Sequence, residues 1–358
     1  MTITKANDAF SEVPAGWYAV ARTWQVGRRP VSLAAGGDPV IAWRSAGKLA
    51  VTARYCPHFG ADLAAARVSA DGHLRCRFHG WQFDGTGACV AIPRHESIPK
   101  RARLSTRAFQ ERYGYIWIWH GTTDPLFPLP NVPELESASN GALGTSWRLR
   151  LNMRARTSTL HVLENLVDGE HLDELHRIGM ADRTVRVLDR PAFEKSDPRY
   201  PQPHEHGAWF GVSVESPVAS YEGLAAGLAR WLGFEIGGLK VLNDCFPGGV
   251  VTRAEVDGEP MFCLIGSATP ESPRSTRLRA VLAIAKAPSR HASVARYLGL
   301  AVQSWLNARQ DNRIWSAQRA ELGGVYLKRD APLMQYRKFH ARWVDACATD
   351  RTPAPRDT

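Results

Sequence analysis

Two short cysteine–histidine motifs constrain this chain more than any other feature of its sequence. Cys56 is followed by His58 after one intervening residue, and Cys76 by His79 after two. Two thiolates and two imidazoles at these spacings suit a [2Fe–2S] cluster in which the cysteines bind one iron and the histidines bind the other. A structural zinc site is the alternative, because the same four donors also bind tetrahedral zinc. Zinc motifs usually group like ligands, whereas each motif here carries one of each kind, so the cluster is favoured.

The size and composition of the chain fit a globular protein of two domains. It has 358 residues, of which 44% are hydrophobic and 22% are charged, and both fractions are ordinary for such proteins. No N-terminal stretch has the order of a signal peptide, and no apolar run reaches the roughly 18 residues that span a bilayer. The cysteines outside the two motifs lie far apart, so we expect reduced thiols and a cytoplasmic location.

The formal net charge of +10 raises the question of nucleic-acid binding. The basic residues are scattered, however, and the longest basic run is the short stretch at residues 99–103. No nucleic-acid-binding motif surrounds them. We therefore expect no nucleic acid as a partner, and instead a solvated basic surface that attracts an acidic redox protein.

Turn signals and short alternating patterns divide the chain into an arm, two domains and a tail. Residues 1–13 predict a flexible arm, and residues 14–121 an all-β domain with both cysteine–histidine motifs at turns between strands. A proline-rich stretch at residues 122–145 predicts a connector. Residues 146–347 predict a second domain with strands and two helices, and residues 348–358 a disordered tail.

The first predicted helix of the second domain, Ser158–Arg177, carries a second set of candidate metal ligands. His171 and His176 are five residues apart, which on a straight α-helix places them about 140° from one another. They can share a metal only where the helix breaks or takes a π-like turn. Two histidines and a carboxylate form the triad that binds non-haem Fe(II) and leaves positions open. Otherwise the pair would be ordinary surface or core histidines.

Asp311 is the best candidate for the third ligand. It lies inside the apolar stripe of the second predicted helix, which runs from about Ser293 to Leu322. A carboxylate in such a stripe is costly unless it is paired or binds a metal. The alternative is a surface salt bridge with Arg309 or Arg313.

Asp168 lies one helical turn before His171 and is not needed as a ligand. A carboxylate at this position would orient an imidazole and link its protonation to the oxidation state of the metal. The alternative is an ordinary exposed aspartate on a helix.

Taken together, these motifs resemble those of the α-subunits of Rieske non-haem iron oxygenases. The resemblance covers nearly the whole chain in the right order, and the combined set is highly specific. It implies an α+β fold. An N-terminal all-β Rieske domain would precede a C-terminal helix-grip (START-like) catalytic domain, with a curved antiparallel sheet and a long C-terminal helix. The stretches that carry the resemblance are Cys56–Gly60, Cys76–Asp84, Asn165–His176 and Asp311–Trp315.

The resemblance also implies the cofactors and the electron donor. The two cysteine–histidine motifs would hold the Rieske [2Fe–2S] cluster, and His171, His176 and Asp311 would hold a mononuclear Fe(II). A reductase or ferredoxin would pass electrons from NAD(P)H to the cluster, and O2 would be the co-substrate.

In this family three subunits form a ring in which the cluster of one faces the iron of the next. Asp168 matches the carboxylate that would join the partner subunit's His79 to His171. Asn165 would lie near the iron. The resemblance therefore predicts a homotrimer with Asp168 as the bridge for electrons between subunits.

Three positions in the cluster loops distinguish this chain from other Rieske proteins. Respiratory-chain Rieske proteins carry an extra disulfide-forming cysteine in each loop, and here those places hold Ala61 and Phe78. Phe59 stands where an arginine commonly follows the first histidine in the oxygenases. That exchange changes the surroundings of the cluster or the surface that docks the reductase.

Within the family the chain is similar to arylamine N-oxygenases, through scaffold stretches that do not fix the substrate. We therefore expect oxidation of a hydrophobic, aromatic small molecule, with N-oxygenation of an arylamine in specialised metabolism as the first candidate. C–H hydroxylation or oxidative cyclisation of a hydrophobic scaffold, such as a steroid, is the alternative. The shared stretches are Glu111–Trp117, Gly207–Gly211, Pro247–Gly249, Asp311–Trp315, Tyr336–Phe339 and Trp343–Asp345.

Two functions without oxygenase activity fit the sequence less well. A plain electron carrier would need only the first domain, and the second ligand set in residues 146–347 argues against it. A zinc-stabilised binding module would also leave that second set unexplained.

Apolar residues recur at helical spacing between Leu224 and Ile236. This pattern predicts either a lid at the entrance for a hydrophobic substrate or ordinary packing on the domain.

Overall fold

The computed structural model describes residues 10–95, 97–136, 147–191, 202–221, 237–319 and 323–349. The N-terminal part of these residues forms short antiparallel strands. Their bounds are β1 Gly16–Arg22, β2 Val31–Ala35, β3 Asp38–Ser45, β4 Lys48–Ala53, β5 Arg67–Val68, β6 Leu74–Arg75, β7 Gln82–Phe83, β8 Cys89–Ala91, β9 Phe109–Arg112 and β10 Tyr115–His120.

These strands form three small sheets, in the orders β1-β10-β9, β2-β3-β4 and β5-β6-β7-β8. The four-stranded sheet carries the second cysteine–histidine motif between β6 and β7, and the first motif follows β4. Both motifs therefore lie in connections between strands, as the turn signals predicted.

Strands β1 and β10 are buried on both faces. In β10, Trp117 and Trp119 point into the large core, whereas Ile116 and Ile118 point into a smaller core beneath β3 and β4. Successive side chains of a strand alternate between the faces of a sheet, so a continuous apolar run can serve two cores. The sheet β1-β10-β9 thus joins the small N-terminal sheets to the rest of the molecule.

The C-terminal part is organised on a seven-stranded antiparallel sheet in the order β11-β19-β18-β17-β16-β14-β13, with β12 and β15 as a separate ribbon. Its register is regular along the long central pairs β16–β17 and β18–β19 except at isolated bulges. The bounds are β11 Trp147–Ala155, β12 Ile178–Ala181, β13 Thr184–Leu188, β14 Phe210–Ser216, β15 Val218–Tyr221, β16 Leu239–Phe246, β17 Gly249–Val256, β18 Glu259–Ser272 and β19 Ser275–Ile284.

The longest helices pack against this sheet: α4 lies against β11, and α5 lies against α2, β13 and β14. Helix α4 begins after Ser289, whose hydroxyl accepts a hydrogen bond from the N–H of Ala292 at 3.1 Å and caps the first turn. The α+β fold with a large antiparallel sheet and a long C-terminal helix is confirmed. The helices are α1 Pro133–Glu136, α2 Thr159–Glu164, α3 His171–Glu174, α4 Arg290–Ala317 and α5 Ala331–Thr349.

The prediction of one continuous helix over Ser158–Arg177 is wrong. The chain forms α2 and α3 with a turn at residues 165–170 between them. In that turn an oxygen of Asp168 accepts a hydrogen bond from the N–H of Glu170 at 2.8 Å. Such a side-chain bond competes with the helical backbone pattern and favours a turn.

The predicted domain boundaries stay predictions, but the structure describes some residues near them. Val13, at the end of the predicted arm, is buried, and Phe10 packs against the same core. In the predicted connector, Phe127 and Val132 are buried in the large core. The part of the connector that the structure describes is therefore packed.

Other predictions fall outside the described residues. These are the apolar stretch Leu224–Ile236, most of the predicted arm and nearly all of the predicted tail. Within the residues that the structure does describe, no helix is long and apolar enough to cross a membrane. All six cysteines are described, and each is free of a disulfide.

Candidate metal centres

The two cysteine–histidine loops have the same backbone conformation. In the first loop the N–H of Cys56 donates to the carbonyl of Ala61, and the N–H of Gly60 donates to the carbonyl of Cys56, both at 2.9 Å. The second loop repeats this pattern, with Cys76 and Trp81 at 2.9 Å and Gly80 bonded back to the carbonyl of Cys76 at 3.1 Å. Each loop is therefore closed by its own backbone.

Glycine is required where each of these loops turns back. Gly60 has φ of +68° and Gly80 has φ of +75°, in the left-handed region that residues with a Cβ rarely adopt. Each glycine is the residue that bonds back to the cysteine of its loop, so the conformation that closes the loop depends on it.

The side chains of the two loops divide into a buried pair and an exposed pair. Cys56 and Cys76 are buried, whereas His58 and His79 are exposed. The two imidazole rings lie with their centroids 4.7 Å apart, and the ring of His58 stacks on Trp81 at 4.6 Å. Two inward thiols beneath two outward imidazoles are the donor arrangement that a half-buried Rieske cluster needs.

The chemistry of the thiols fits a bound metal. Burial raises the pKa of Cys56 to about 11, and the neighbouring Cys76 adds to the rise. Two adjacent buried thiols become thiolates only beside a cation, and a coordinating metal deprotonates them outright. The residues present therefore fit a [2Fe–2S] cluster.

The surface around the exposed imidazoles is both aromatic and basic. Phe59 and Phe78 are 71% and 64% exposed and lie on either side of the histidines. Beside His79 is an open groove of about 1040 Å³. Its basic lining residues are Arg67, Arg75, Arg77, Arg94 and His95.

The second ligand set is brought together by the end of α3. The N–H of His176 donates to the carbonyl of His171 at 3.4 Å, a five-residue π-type bond, beside the helical bond from Leu175 to His171 at 2.9 Å. Arg177, three residues past the end of α3, then takes a φ of +54°. The rings of His171 and His176 lie 5.1 Å apart as a result. The expectation that the two histidines converge only at a helix irregularity agrees with this geometry.

Asp311 reaches this pair from the distant helix α4. The ligand atoms of His171, His176 and Asp311 all lie within 4.8 Å of one another. Nε2 of His176 is 3.1 Å from Oδ1 of Asp311, and both side chains are largely buried, with 3% and 12% exposed. That oxygen is buried with no aligned hydrogen-bond donor among the described residues. A buried carboxylate oxygen without a donor is costly unless a cation binds there, so the site fits a metal ion.

The remaining predicted residues lie at the edge of the triad. An oxygen of Asp168 is 3.5 Å from Nδ1 of His171, and Nδ2 of Asn165 is 3.3 Å from Nε2 of the same ring. Burial raises the pKa of Asp168, but the neighbouring His171 and the hydrogen bond from the backbone N–H of Glu170 outweigh it and hold that pKa below its usual value. Asp168 is therefore an anion at neutral pH, with 38% of its side chain exposed.

The structure adds supporting residues that the sequence did not predict. Oε1 of Gln310 lies 2.9 Å from Nδ1 of His176. Nδ2 of Asn243 on β16 donates to the carbonyl of Leu166 at 2.6 Å and fixes the turn before α3. These bonds join residues that are 134 and 77 positions apart in the chain. No local sequence pattern therefore predicts them.

A further pair holds α2, the helix that leads into this turn. Arg337 of α5 binds both carboxylate oxygens of Glu164, at 2.7 and 3.2 Å. The same guanidinium donates to the hydroxyl of Tyr326 at 2.6 Å. A bidentate pair of this kind fixes orientation as well as distance, so α5 sets the position from which the turn begins.

Comparisons with known proteins give relatives along nearly the whole chain. The model of the Rieske [2Fe–2S] domain family matches residues 16–102. Aminopyrrolnitrin oxygenase PrnD of Pseudomonas fluorescens is 32% identical over 354 residues, which cover 97% of this chain and 95% of that protein. Cholesterol 7-desaturase nvd of Bombyx mori is 26% identical and matches 92% of this chain and 69% of its own length.

Solved structures share the fold at lower identity. Dicamba monooxygenase bound to 3,6 dichlorosalicylic acid superposes with a TM-score of 0.73 at 17% identity, covering 95% of this chain and 99% of that chain. NdmB of Pseudomonas putida CBB5 superposes with a TM-score of 0.70 at 18% identity, covering 97% and 95%. The sequence and the fold of the whole described molecule therefore lead to the same family.

Proposed function

Because this chain belongs to the Rieske non-haem iron oxygenases, we propose that it is the terminal component that oxidises a hydrophobic, aromatic small molecule. The observation that carries the proposal is the buried triad of His171, His176 and Asp311. A plain electron carrier has no use for this second donor set, and a module stabilised by zinc at the cysteine–histidine loops would also leave it unexplained. The enzyme is an oxidoreductase whose cofactors are a Rieske cluster and a mononuclear iron.

Each ligand has a defined place in this proposal. Cys56 and Cys76 would bind one iron of the cluster and His58 and His79 the other, and the exposed imidazoles would face an electron donor. The triad described above binds the mononuclear iron. When bound, that iron supplies the activation of O2 with electrons from the cluster.

The protein side chains control access and charge at the mononuclear site. Three protein ligands leave positions open for O2 and substrate. Asn165 lies beside His171, where its amide would donate to a group in an open position. His176 and Asp311 are largely buried, so their ligand atoms are shielded from bulk water.

The charges at the surface support two protein partners. The groove beside His79 is lined by arginines, whereas the partly exposed carboxylate of Asp168 lies beside His171. A basic groove beside His79 and a partly exposed anion at Asp168 on one chain suit a homotrimer in which Asp168 bridges to the partner subunit's His79. The same basic groove suits an acidic ferredoxin or reductase as the electron donor.

The substrate class follows from the relatives. Similarity to aminopyrrolnitrin oxygenase over 97% of the chain favours N-oxygenation of an arylamine, a reaction of specialised metabolism. Similarity to a cholesterol 7-desaturase over 92% of the chain favours, as the second candidate, C–H oxidation or oxidative cyclisation of a steroid-like scaffold. Six disulfide-free cysteines suit a reducing compartment, so we place the enzyme in the cytoplasm.

Product analysis with isotopically labelled O2 tests the proposal. The purified protein, a reductase and NAD(P)H are incubated with an arylamine or, separately, with a sterol, and the products are analysed by mass spectrometry. We expect a labelled oxygen on the nitrogen of the arylamine, and no product with Asp311→Ala. Labelled sterol product alone would favour the second candidate. Reduction of the cluster without product from either class would contradict the proposed oxygenase activity on these substrates.

A further inference from the structure

The second nitrogen of His176 has a dedicated partner in the protein. Its Nε2 faces Asp311 at 3.1 Å, and its Nδ1 lies 2.9 Å from Oε1 of Gln310. Gln310 and Asp311 are consecutive residues of α4. One turn of this helix therefore supplies both a candidate metal ligand, Asp311, and a contact to the imidazole of a second candidate ligand, His176.

The protonation of the ring determines what Gln310 does. A histidine that binds a metal through Nε2 carries its remaining proton on Nδ1. A buried N–H needs an acceptor, because an unmade hydrogen bond in this setting costs about 1–3 kcal/mol. Only the amide oxygen of a glutamine can accept, so the orientation of the Gln310 amide follows from that of the imidazole.

Resting on the proposed function, we infer that Gln310 is a positioning residue for the mononuclear iron. Its amide oxygen holds His176 in the Nδ1–H tautomer and fixes the rotation of the ring. The Nε2 atom and the Asp311 carboxylate are thereby both directed at the candidate metal site. Partners of this kind outside the ligand shell typically change metal affinity when they are removed.

Gln310 also makes the two histidines chemically different. His171 has the carboxylate of Asp168 near its Nδ1, at 3.5 Å, whereas His176 has a neutral amide. An anionic partner strengthens an imidazole as a donor more than a neutral one does. His171 therefore lies beside a charged, partly exposed side chain, whereas His176 is held by an amide that stays neutral.

Metal titration of two variants tests this role without measuring turnover. The full-length protein keeps its cluster while the mononuclear metal is removed by chelation, and Fe(II) or Co(II) is then titrated in. Gln310→Leu removes the acceptor and should weaken Fe(II) binding by roughly 10–100-fold. Gln310→Glu keeps an acceptor and should retain Fe(II) affinity near that of the wild type, but shift the visible spectrum of bound Co(II).

A matched control separates this role from helix stability. Gln303 lies seven residues earlier on α4, and its amide donates to Asn307 of the same helix at 2.6 Å. Gln303→Leu should leave the metal affinity and the Co(II) spectrum unchanged. If Gln310→Leu binds Fe(II) as tightly as Gln303→Leu, the inference is wrong.

The remaining outcomes are also decisive. Where Gln310→Leu fails to fold, as judged by far-UV circular dichroism and urea unfolding, the Co(II) spectrum of Gln310→Glu decides, and an unchanged spectrum overturns the inference. Failure of the wild type to bind one further metal per chain would overturn the proposed function itself.

Discussion

The two metal centres of this chain are assembled in opposite ways. The Rieske ligands lie in two loops within residues 56–79, and each loop is closed by its own backbone hydrogen bonds. The ligands of the mononuclear site come from α3 and α4, and the hydrogen bond that links them joins residues 134 positions apart. One centre is built locally, and the other exists only when the large sheet and its helices are folded.

This difference predicts how each centre responds to change. A locally closed loop keeps its ligands in place as long as its own turn is intact. The distant triad depends on every contact that fixes α2, the turn after it and α4 against the sheet. Changes in the large core should therefore disturb the mononuclear site first.

Removal of one ligand at each centre gives the largest expected effect. Asp311→Ala removes the only carboxylate of the triad and should abolish turnover, a loss beyond the roughly 100-fold that removal of a supporting residue costs. Its Rieske EPR signal should stay unchanged. EPR and iron analysis on the same sample measure both centres. Retained turnover would show that another residue is the third ligand.

Cys76→Ala is the reciprocal variant. It should lose the cluster and its EPR signal, yet still bind one Fe(II) at the triad, because the triad shares no element with the loops. Loss of both metals in this variant would contradict the independence of the two centres.

Acid should weaken the core on which the distant triad depends. Burial lowers the pKa of His340 on α5 to about 4, whereas an unfolded histidine titrates near 6.5. Between these values the unfolded chain binds more protons, so stability is complete above about pH 6.5 and falls by about 3 kcal/mol towards pH 4. Urea unfolding at pH 7 and pH 5 measures the loss, and His340→Leu should reduce it.

The exposed His291 at the start of α4 provides the control. His291→Leu should keep the pH dependence of the wild type. Equal pH dependence in His340→Leu and the wild type would show that another group is responsible.

Two substitutions of Asp168 test the link between the centres. Asp168→Ala should leave both metals bound but slow electron transfer to the mononuclear site by roughly 10–100-fold, because the anion next to His171 is lost. Asp168→Asn keeps an oxygen for the N–H of Glu170 but removes the charge, so it should be slowed nearly as much. Single-turnover oxidation of the reduced cluster measures the rate. Normal kinetics in both variants would rule out a bridging role.

The smallest effects are expected from the glycines of the two loops. Gly60→Ala and Gly80→Ala each force a residue with a Cβ into the left-handed region, at roughly 1–2 kcal/mol. A Cβ at Gly60 meets nothing within 4 Å, whereas one at Gly80 lies 2.9 Å from Pro93. Gly80→Ala should therefore lower the unfolding midpoint and the cluster content more than Gly60→Ala does. The reverse order would contradict the crowding of Gly80 by Pro93.

The sequence predicted the local features of this molecule well and its distant contacts poorly. The cysteine–histidine spacing and the helical pattern from about Ser293 are short-range signals, and the structure has both the loops and the helix α4. The apolar stripe predicted along that helix is not a buried face, because Leu298 and Trp305 are each 54% exposed. The break after α2 was not predicted, because it depends on Asn243 and on the turn at Asp168. Helix α5 was also missed, although Leu333, Tyr336, Phe339 and Trp343 recur at helical spacing along it.

The candidate sites show the same difference between residues that a local pattern identifies and residues that only a distant contact identifies. His171, His176 and Asp311 were chosen from residue type and motif, and the fold brings them together. Gln310 was not assigned a role, because its meaning comes only from the imidazole that it contacts across the fold. A supporting residue has no motif of its own when its partner is far away in the chain.

The strands β1 and β10, buried on both faces, have a consequence for anyone who wishes to exchange electron-input modules between related enzymes. A graft cut at the end of the predicted first domain would separate Trp17 and Trp119 from the large core that they fill, and would leave a cavity lined with aromatic side chains in the recipient. Junctions placed within residues 23–114, between β1 and β10, would transfer the cluster loops and leave both strands native to the recipient. The transplantable unit of this enzyme is therefore smaller than its domain.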